Sequence, residues 1–218
     1  MGEVPELEYV VLTMEDYEDV THFLLNYYYP RNTVALGTRC SPETALSVDL
    51  KHIQLCLTSG LSVGARDKAT KNLIAMSLAS NYEHYAEATQ NPEHEVGILR
   101  AWYITRKLMD EVVGTKRERI VYGTRICVLP DYSHLGVSTK VAKLCLDLCI
   151  KQGYTLACTN TINLYAEKAS LRLGFENVKT VDLSTLEEGI FDLSRMDYKI
   201  LKIFIKRLRP ETKLSSKL

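Results

Sequence analysis

Residues 126–149, ICVLPDYSHLGVSTKVAKLCLDLC, change character twice in a short span. Ile126, Cys127, Val128 and Leu129 read as the end of a strand, Pro130 stops it, and from Val137 onward apolar residues recur at helical spacing. A strand that ends just before a helix begins leaves the first backbone N–H groups of that helix directed into the space beyond the strand end, which favours an anion. Gly136 permits a positive φ or the close approach of a ligand, and Ser138 and Thr139 are small enough to leave the amides accessible while adding hydroxyl donors. The same letters also fit a plain strand-to-helix turn with one glycine. The elements on either side decide between the two.

Upstream, RIVYGTRICVL (119–129) is a β-branched strand. Downstream, YTLACTN (154–160) reads as a buried strand, INLYAEKASLRLG (162–174) as a helix stopped by Gly174, and RMDYKILKIFIKRL (195–208) as a long final strand. A strand-helix-strand crossover therefore brackets the opening stretch. Nearer the N-terminus, LEYVVLT (7–13) predicts a first strand. Thr13 with Asp16 predicts a capped helix ending at Pro30, with Tyr17, Val20, Leu24 and Tyr28 on one face. Ser41, Pro42 and Glu43 predict a second helix start, and Gly60 its stop. LSVGARD (61–67) and NLIAMSLASNYE (72–83) predict two strands around the polar hairpin KATK. Residues 86–93 predict a loop, and 94–114 a helix with the stripe Ile98, Trp102, Tyr103, Ile104, Leu108 and Val112. The sum is an α/β chain, read as a single domain over 1–218.

Composition narrows the function classes. The chain has 218 residues, 46% of them hydrophobic, and its 27 basic and 27 acidic residues cancel, so overall charge does not ask for nucleic acid. The basic end KILKIFIKRLRPETKLSSKL leaves room for a local patch. Six scattered cysteines without paired spacing predict reduced thiols in an intracellular, cytoplasmic protein and no metal site. No apolar run approaches the roughly 20 residues of a membrane span, and MGEVPELEYVVLT lacks the features of a secretory signal.

Taken together, RICVLPDY, SHLGVSTKVAKLCLDLCIKQGY and NLYAEKASLRLGFENV resemble the GNAT superfamily of acyl-CoA-dependent N-acetyltransferases. Within it, VTHFLLNYYY and the element order are similar to the insect-type arylalkylamine N-acetyltransferases. The resemblance implies a mixed, mostly antiparallel sheet of about seven strands flanked by helices, with a splayed parallel pair at the acyl-CoA site. It implies acetyl-CoA as co-substrate and a small primary amine, an arylalkylamine or polyamine, as acceptor. In the superfamily's pyrophosphate loop the pattern is Arg/Gln-x-x-Gly-x-Gly/Ala; here Ser133, His134, Leu135, Gly136, Val137 and Ser138 stand in it, so the glycine matches while Ser133 and Ser138 depart. The cofactor-binding set is then Ile126, Cys127 and Val128 on the strand, His134 to Thr139 in the loop and helix start, and Asn163 in the late helix.

Amine acetylation requires a deprotonated nitrogen placed against a thioester carbonyl and a stabilised thiolate leaving group. Insect-type members carry a basic Glu after the first helix, and here Asn32 occupies that place; an amide cannot accept the proton at neutral pH. The superfamily's acidic tyrosine maps to Ser170. Glu83 and His84, after the third strand, are the substitute acid-base candidates, and Tyr28, Tyr29 and Asn32 the candidate substrate contacts. Glu187 and Glu188 in the late loop could attract a cationic amine. These changes keep a second reading open: a catalytically weak or inactive relative that binds acyl-CoA or a protein partner. Oligomeric state is not legible.

Overall fold

A computed structural model describes residues 5–89, 97–114 and 119–208. Strand β1 (Leu7–Val11) runs into Thr13, where the expected capping box forms: Thr13 N donates to Asp16 Oδ2 at 2.9 Å and Glu15 N donates to Thr13 Oγ1 at 3.3 Å. The helix that follows is not uniform. A 3-10 turn (Met14–Asp16) leads into α1 (Tyr17–Phe23), then a π turn (Leu24–Tyr28) and a second 3-10 turn (Tyr29–Arg31). It passes through Pro30 rather than ending there, because Pro30 falls at the start of the last 3-10 turn, where its missing N–H has no partner to lose. The widened π turn changes the phase of the helix, and Tyr27, Tyr28 and Tyr29 all reach one cavity.

Asn32 caps the short α2 (Thr33–Gly37), and Ser41 with Pro42 opens α3 (Pro42–Thr58) as the spacing predicts, Thr44 N donating to Ser41 Oγ at 3.2 Å. The hairpin of β2 (Val63–Asp67) and β3 (Leu73–Asn81) also forms as expected. Beyond it the chain departs from expectation. The strand stops at Asn81, whose Oδ1 accepts from Glu83 N at 2.8 Å and so starts α4 (Tyr82–Ala88), turning Tyr82 and Tyr85 inward. Residues 82–88 are thus helix where strand and loop are expected, and 90–93 lie outside the described residues.

Helix α5 (Ile98–Val113) buries Ile98, Ala101, Thr105 and Met109. Tyr103 is half-buried outside that stripe, its ring flanked by the guanidinium groups of Arg100 and Arg106 at 5.4 and 5.1 Å. Strand β4 (Ile120–Val128), helix α6 (Val137–Lys151), strand β5 (Leu156–Thr161) and helix α7 (Leu164–Arg172) follow in the expected order. Strand β6 (Glu176–Asp182) is an addition: its polar, largely exposed sequence gives no strand alternation, as suits a sheet edge, and β7 (Ile200–Arg207) is shorter than predicted because 193–195 form a 3-10 turn.

The seven strands make one sheet in the order β1-β2-β3-β4-β5-β7-β6, antiparallel throughout except for β4 and β5. One face packs against α6, with Ala75, Ala79, Val121 and Ala157 meeting Val141 and Cys145. The other face packs against α1, α3 and α5 through Met76, Leu78, Phe23, Ile53 and Ile98. No helix among the described residues is long and apolar enough to cross a membrane.

Candidate active site

The parallel ladder between β4 and β5 is short. It runs from Ile120↔Leu156 to Tyr122↔Cys158, while β4 continues to Val128 and β5 to Thr161. Thr159 Oγ1 donates to Gly123 O at 2.7 Å, and past this tie the strands part. A cavity of about 620 Å³ occupies the gap and is lined from both faces: Ser138, Ala142 and Cys145 of α6 with Ala166, Ala169 and Ser170 of α7 on one side, Tyr28, Asp49, His52, Trp102 and Tyr122 on the other. This is the splayed pair that the sequence reading expects.

A bulge in β4 sets what faces the second side. Leu78 pairs with Arg125 but Ala79 with Gly123, so Thr124 is an extra residue. Strict alternation from Tyr122 would put Thr124 on the α3 face and Arg125 on the opposite one; the bulge reverses the phase and delivers Arg125 and Cys127 to the side of Tyr122.

There Arg125 meets α3. Its Nη2 lies 2.5 Å from Asp49 Oδ2, and the same carboxylate oxygen accepts the Tyr29 hydroxyl. Asp49 Oδ1 is 3.6 Å from His52 Nδ1, which is also 3.3 Å from Arg125 Nη1, and His52 Nε2 is 3.3 Å from Ser80 Oγ. Burial opposes the charge of Arg125, but Asp49 and the other acidic groups around it together outweigh that penalty and keep the guanidinium protonated. Burial likewise opposes a charged His52, yet Cys56 and Asp49 push its pKa up to about 9. Burial and Asp49 hold the Tyr29 hydroxyl far above its ordinary range. An aromatic wall closes the site: Tyr85 and Tyr122 have ring centroids 4.0 Å apart, Asn160 Nδ2 donates to the Tyr122 hydroxyl at 2.7 Å, and Arg125 Cζ sits 5.9 Å from the Trp102 ring.

The loop at 130–136 forms a 3-10 turn, pinned where the Tyr132 hydroxyl donates to Asp67 Oδ2 at 3.1 Å, and ends at Gly136 with φ 69° and ψ 11°. No side chain caps α6 and its first turn carries no acidic residue. His134, Leu135 and Gly136 are exposed beside it, Thr139 is half-buried, and Val137 is buried in the α6-side core. None of these five is in the cavity wall, whereas Ile126, Cys127, Val128, Ser138 and Asn163 are. Asn163 Oδ1 is occupied in capping α7, accepting from Tyr165 N at 2.8 Å and Ala166 N at 3.2 Å.

Among the remaining candidates, Tyr28, Tyr29, Asn32 and Ser170 line the cavity, with Asn32 Oδ1 accepting from Ala35 N at 2.9 Å. Glu83 and His84 do not: both are exposed on α4, because the turn that buries Tyr82 and Tyr85 points them outward. Glu187 is paired with Arg100 at 2.7 Å, and neither it nor Glu188 is in the wall. Sequence reasoning missed Asp49, His52 and Arg125. The available signal was in α3, where Asp49 and His52 interrupt the inward stripe of Ala45, Ile53, Cys56 and Leu57. Among the described residues, no group of three or more His, Cys, Asp or Glu side chains is arranged to hold a metal ion.

No family model and no curated protein sequence matches this chain. Solved structures do. A mosquito arylalkylamine N-acetyltransferase-like protein, 5b, superposes with a TM-score of 0.71 at 18% identity, covering 93% of this chain and 100% of its own. The Drosophila melanogaster polyamine N-acetyltransferase that forms N-acetylagmatine gives 0.78 at 16% identity, with 93% and 100% covered. The C-terminal condensation domain of Ebony, bound to β-alanyl-dopamine, gives 0.73 at 10% identity, with 94% and 100% covered. The architecture is that of the GNAT N-acetyltransferases. Within that fold, the arylalkylamine and polyamine N-acetyltransferases share it across nearly the whole described chain.

Proposed function

We propose that this chain is an N-acetyltransferase that moves an acetyl group from acetyl-CoA to the nitrogen of a small primary amine by direct attack in a ternary complex. The observation that carries the reading is the cavity lined from both faces of the sheet where β4 and β5 part, an arrangement suited to two substrates meeting at one gap.

The residues present fit the coenzyme. The first turn of α6 has neither cap nor acidic residue to compete with a diphosphate, and Gly136 leaves open space where a Cβ would stand. The amides of Val137, Ser138 and Thr139 are the donors for that diphosphate, and the departures at Ser133 and Ser138 leave backbone donors in place. The passage between α6 and α7, walled by Ala142, Cys145, Ala166 and Ala169, takes the pantetheine arm. When bound, acetyl-CoA supplies the activated thioester carbonyl.

The chain's own part is position. Between Ile126 and Val128 the β5-facing edge of β4 carries no ladder, which leaves backbone groups to orient an acyl carbonyl. Tyr28, Tyr85, Tyr122 and Trp102 shape the acceptor side and exclude water. Ser170 places a hydroxyl in the wall on the α7 side, where a leaving sulfur would need a proton. Among the described residues Asp49 is the wall's one carboxylate and is engaged by Tyr29 and Arg125, so the acceptor's ammonium proton is given up to solvent before the amine enters rather than to a side chain in the site. That engagement also favours the second reading, coenzyme binding without turnover. Acetyl-CoA titration followed by assay of CoA release over a panel of small amines separates them: release with an N-acetylated product supports transfer, and tight binding without release supports the second reading.

A further inference from the structure

The acceptor side of the cavity is electrically lopsided. Among the described residues its wall contains Arg31, Lys51 and Arg125 against one carboxylate, Asp49. That carboxylate is already committed: Oδ2 accepts from the Tyr29 hydroxyl and from Arg125 Nη2 at 2.5 Å, while Oδ1 faces His52 at 3.6 Å. Arg31 is held toward the gap, its Nε donating to Tyr27 O at 2.7 Å and its Nη2 lying 3.8 Å from Cys127 Sγ. Arg125 has a side chain only 7% exposed, and its Nε is a buried donor without a partner among the described residues. All three cations stand on the α1 and α3 side of the sheet, away from the α6 loop that suits a diphosphate.

From this we propose that the acceptor amine carries an anionic group, a carboxylate, so that the preferred substrate is a small amino acid rather than a diamine or a plain arylalkylamine. The inference rests on the acyl-transfer reading and deepens it. A second ammonium entering this side would pass the exposed Arg31 and Lys51 at the mouth and meet the buried Arg125 further in, with no carboxylate besides the engaged Asp49 among the described residues of the wall to receive it. A carboxylate placed near Arg31 and Lys51 offsets that charge and holds the amine at a fixed distance from the gap between β4 and β5. The protonated state of His52 adds to the same imbalance.

Matched acceptor pairs that differ only in the carboxylate test it: phenylalanine against phenethylamine, β-alanine against ethylamine, and ornithine against putrescine. CoA release is followed at fixed acetyl-CoA, and binding is followed by the fluorescence of Trp102, the chain's single tryptophan, which stacks over Arg125 at 5.9 Å. The expected result is a kcat/KM higher for the carboxylate member by on the order of tenfold, the scale of one charge-assisted hydrogen bond. In Arg31→Gln combined with Lys51→Gln, that preference shrinks through KM with kcat largely retained. Arg125 is left in place, because its loss would strand Asp49. Equal or faster turnover of the carboxylate-free members overturns the proposal. If no acceptor releases CoA, the acyl-transfer reading fails and fluorescence alone decides the charge: saturable change with the carboxylate members only sustains an anion site, and equal or absent change overturns it.

Discussion

Asp49 of α3 and Arg125 of β4 are joined through Oδ2 and Nη2 at 2.5 Å, with side chains 1% and 7% exposed, and the Tyr29 hydroxyl donates to the same oxygen. The pair ties the first helices to the strand that borders the cavity. Its position depends on the bulge at Thr124, since without the extra residue Arg125 would face α6.

Removing one partner is therefore costly. Asp49→Ala leaves a guanidinium buried without its carboxylate and should destabilise the fold by about 3–5 kcal/mol, whereas Tyr29→Phe removes one donor and should cost about 1–3 kcal/mol. Urea unfolding of each variant, with the double variant Asp49→Ala/Arg125→Met, measures the coupling. An Asp49→Ala cost below that of Tyr29→Phe would contradict this arrangement.

His52 gives a pH dependence with a definite sign. Its folded pKa is pushed up from 6.5 to about 9, against burial and Arg125, by Cys56 and Asp49. A raised folded pKa means that the protonated imidazole contributes stability fully below pH 6.5, and that this contribution is lost as pH rises from there through 9. Histidine NMR titration with parallel unfolding at several pH values checks it. A His52 midpoint at or below the ordinary histidine value, with stability flat across that window, would refute the assignment.

The pH profile of turnover should follow the substrate. With Asp49 engaged, log kcat/KM is expected to rise with unit slope toward the acceptor's own amine pKa and to move when a less basic amine is used. Glu83→Gln and His84→Ala, both outside the cavity wall, should leave kcat/KM within about a factor of two, the scale of a surface change. A profile fixed at one pH for all amines, or a large loss in either variant, would show a side-chain base.

At the helix start, Gly136 has φ 69° and open space around its missing Cβ. Gly136→Val should cost about 1–2 kcal/mol through left-handed backbone strain and also weaken acetyl-CoA binding by crowding the α6 amides. Calorimetry at a temperature where the variant is folded separates the two effects. Unchanged affinity would remove the loop from the coenzyme site.

The sequence disclosed the frame better than the chemistry, for identifiable reasons. Thr13, Ser41 and Gly60 carry local signals that act within one turn, and the cap at Thr13 and the helix between Ser41 and Gly60 form as read. The gap between β4 and β5 was legible through the resemblance carried by the opening stretch. Arg125 was not, because a bulge at Thr124 decides its face and a bulge leaves no mark in an unaligned strand. Asp49 and His52 were legible only as polar interruptions of an apolar stripe. Glu83 and His84 read as site residues because they follow the third strand, where the superfamily resemblance places an acid or relay base, whereas the Asn81 cap turns the chain into α4 and points both outward.

The most direct test of acetyl transfer at the gap between β4 and β5 is mass-spectrometric detection of N-acetyl product, with parallel CoA release, from purified protein, acetyl-CoA and a panel of small amines and amino acids. The cavity architecture predicts stoichiometric product and CoA for at least one acceptor. Saturable acetyl-CoA binding with no product from any acceptor, or no binding at all, would contradict it.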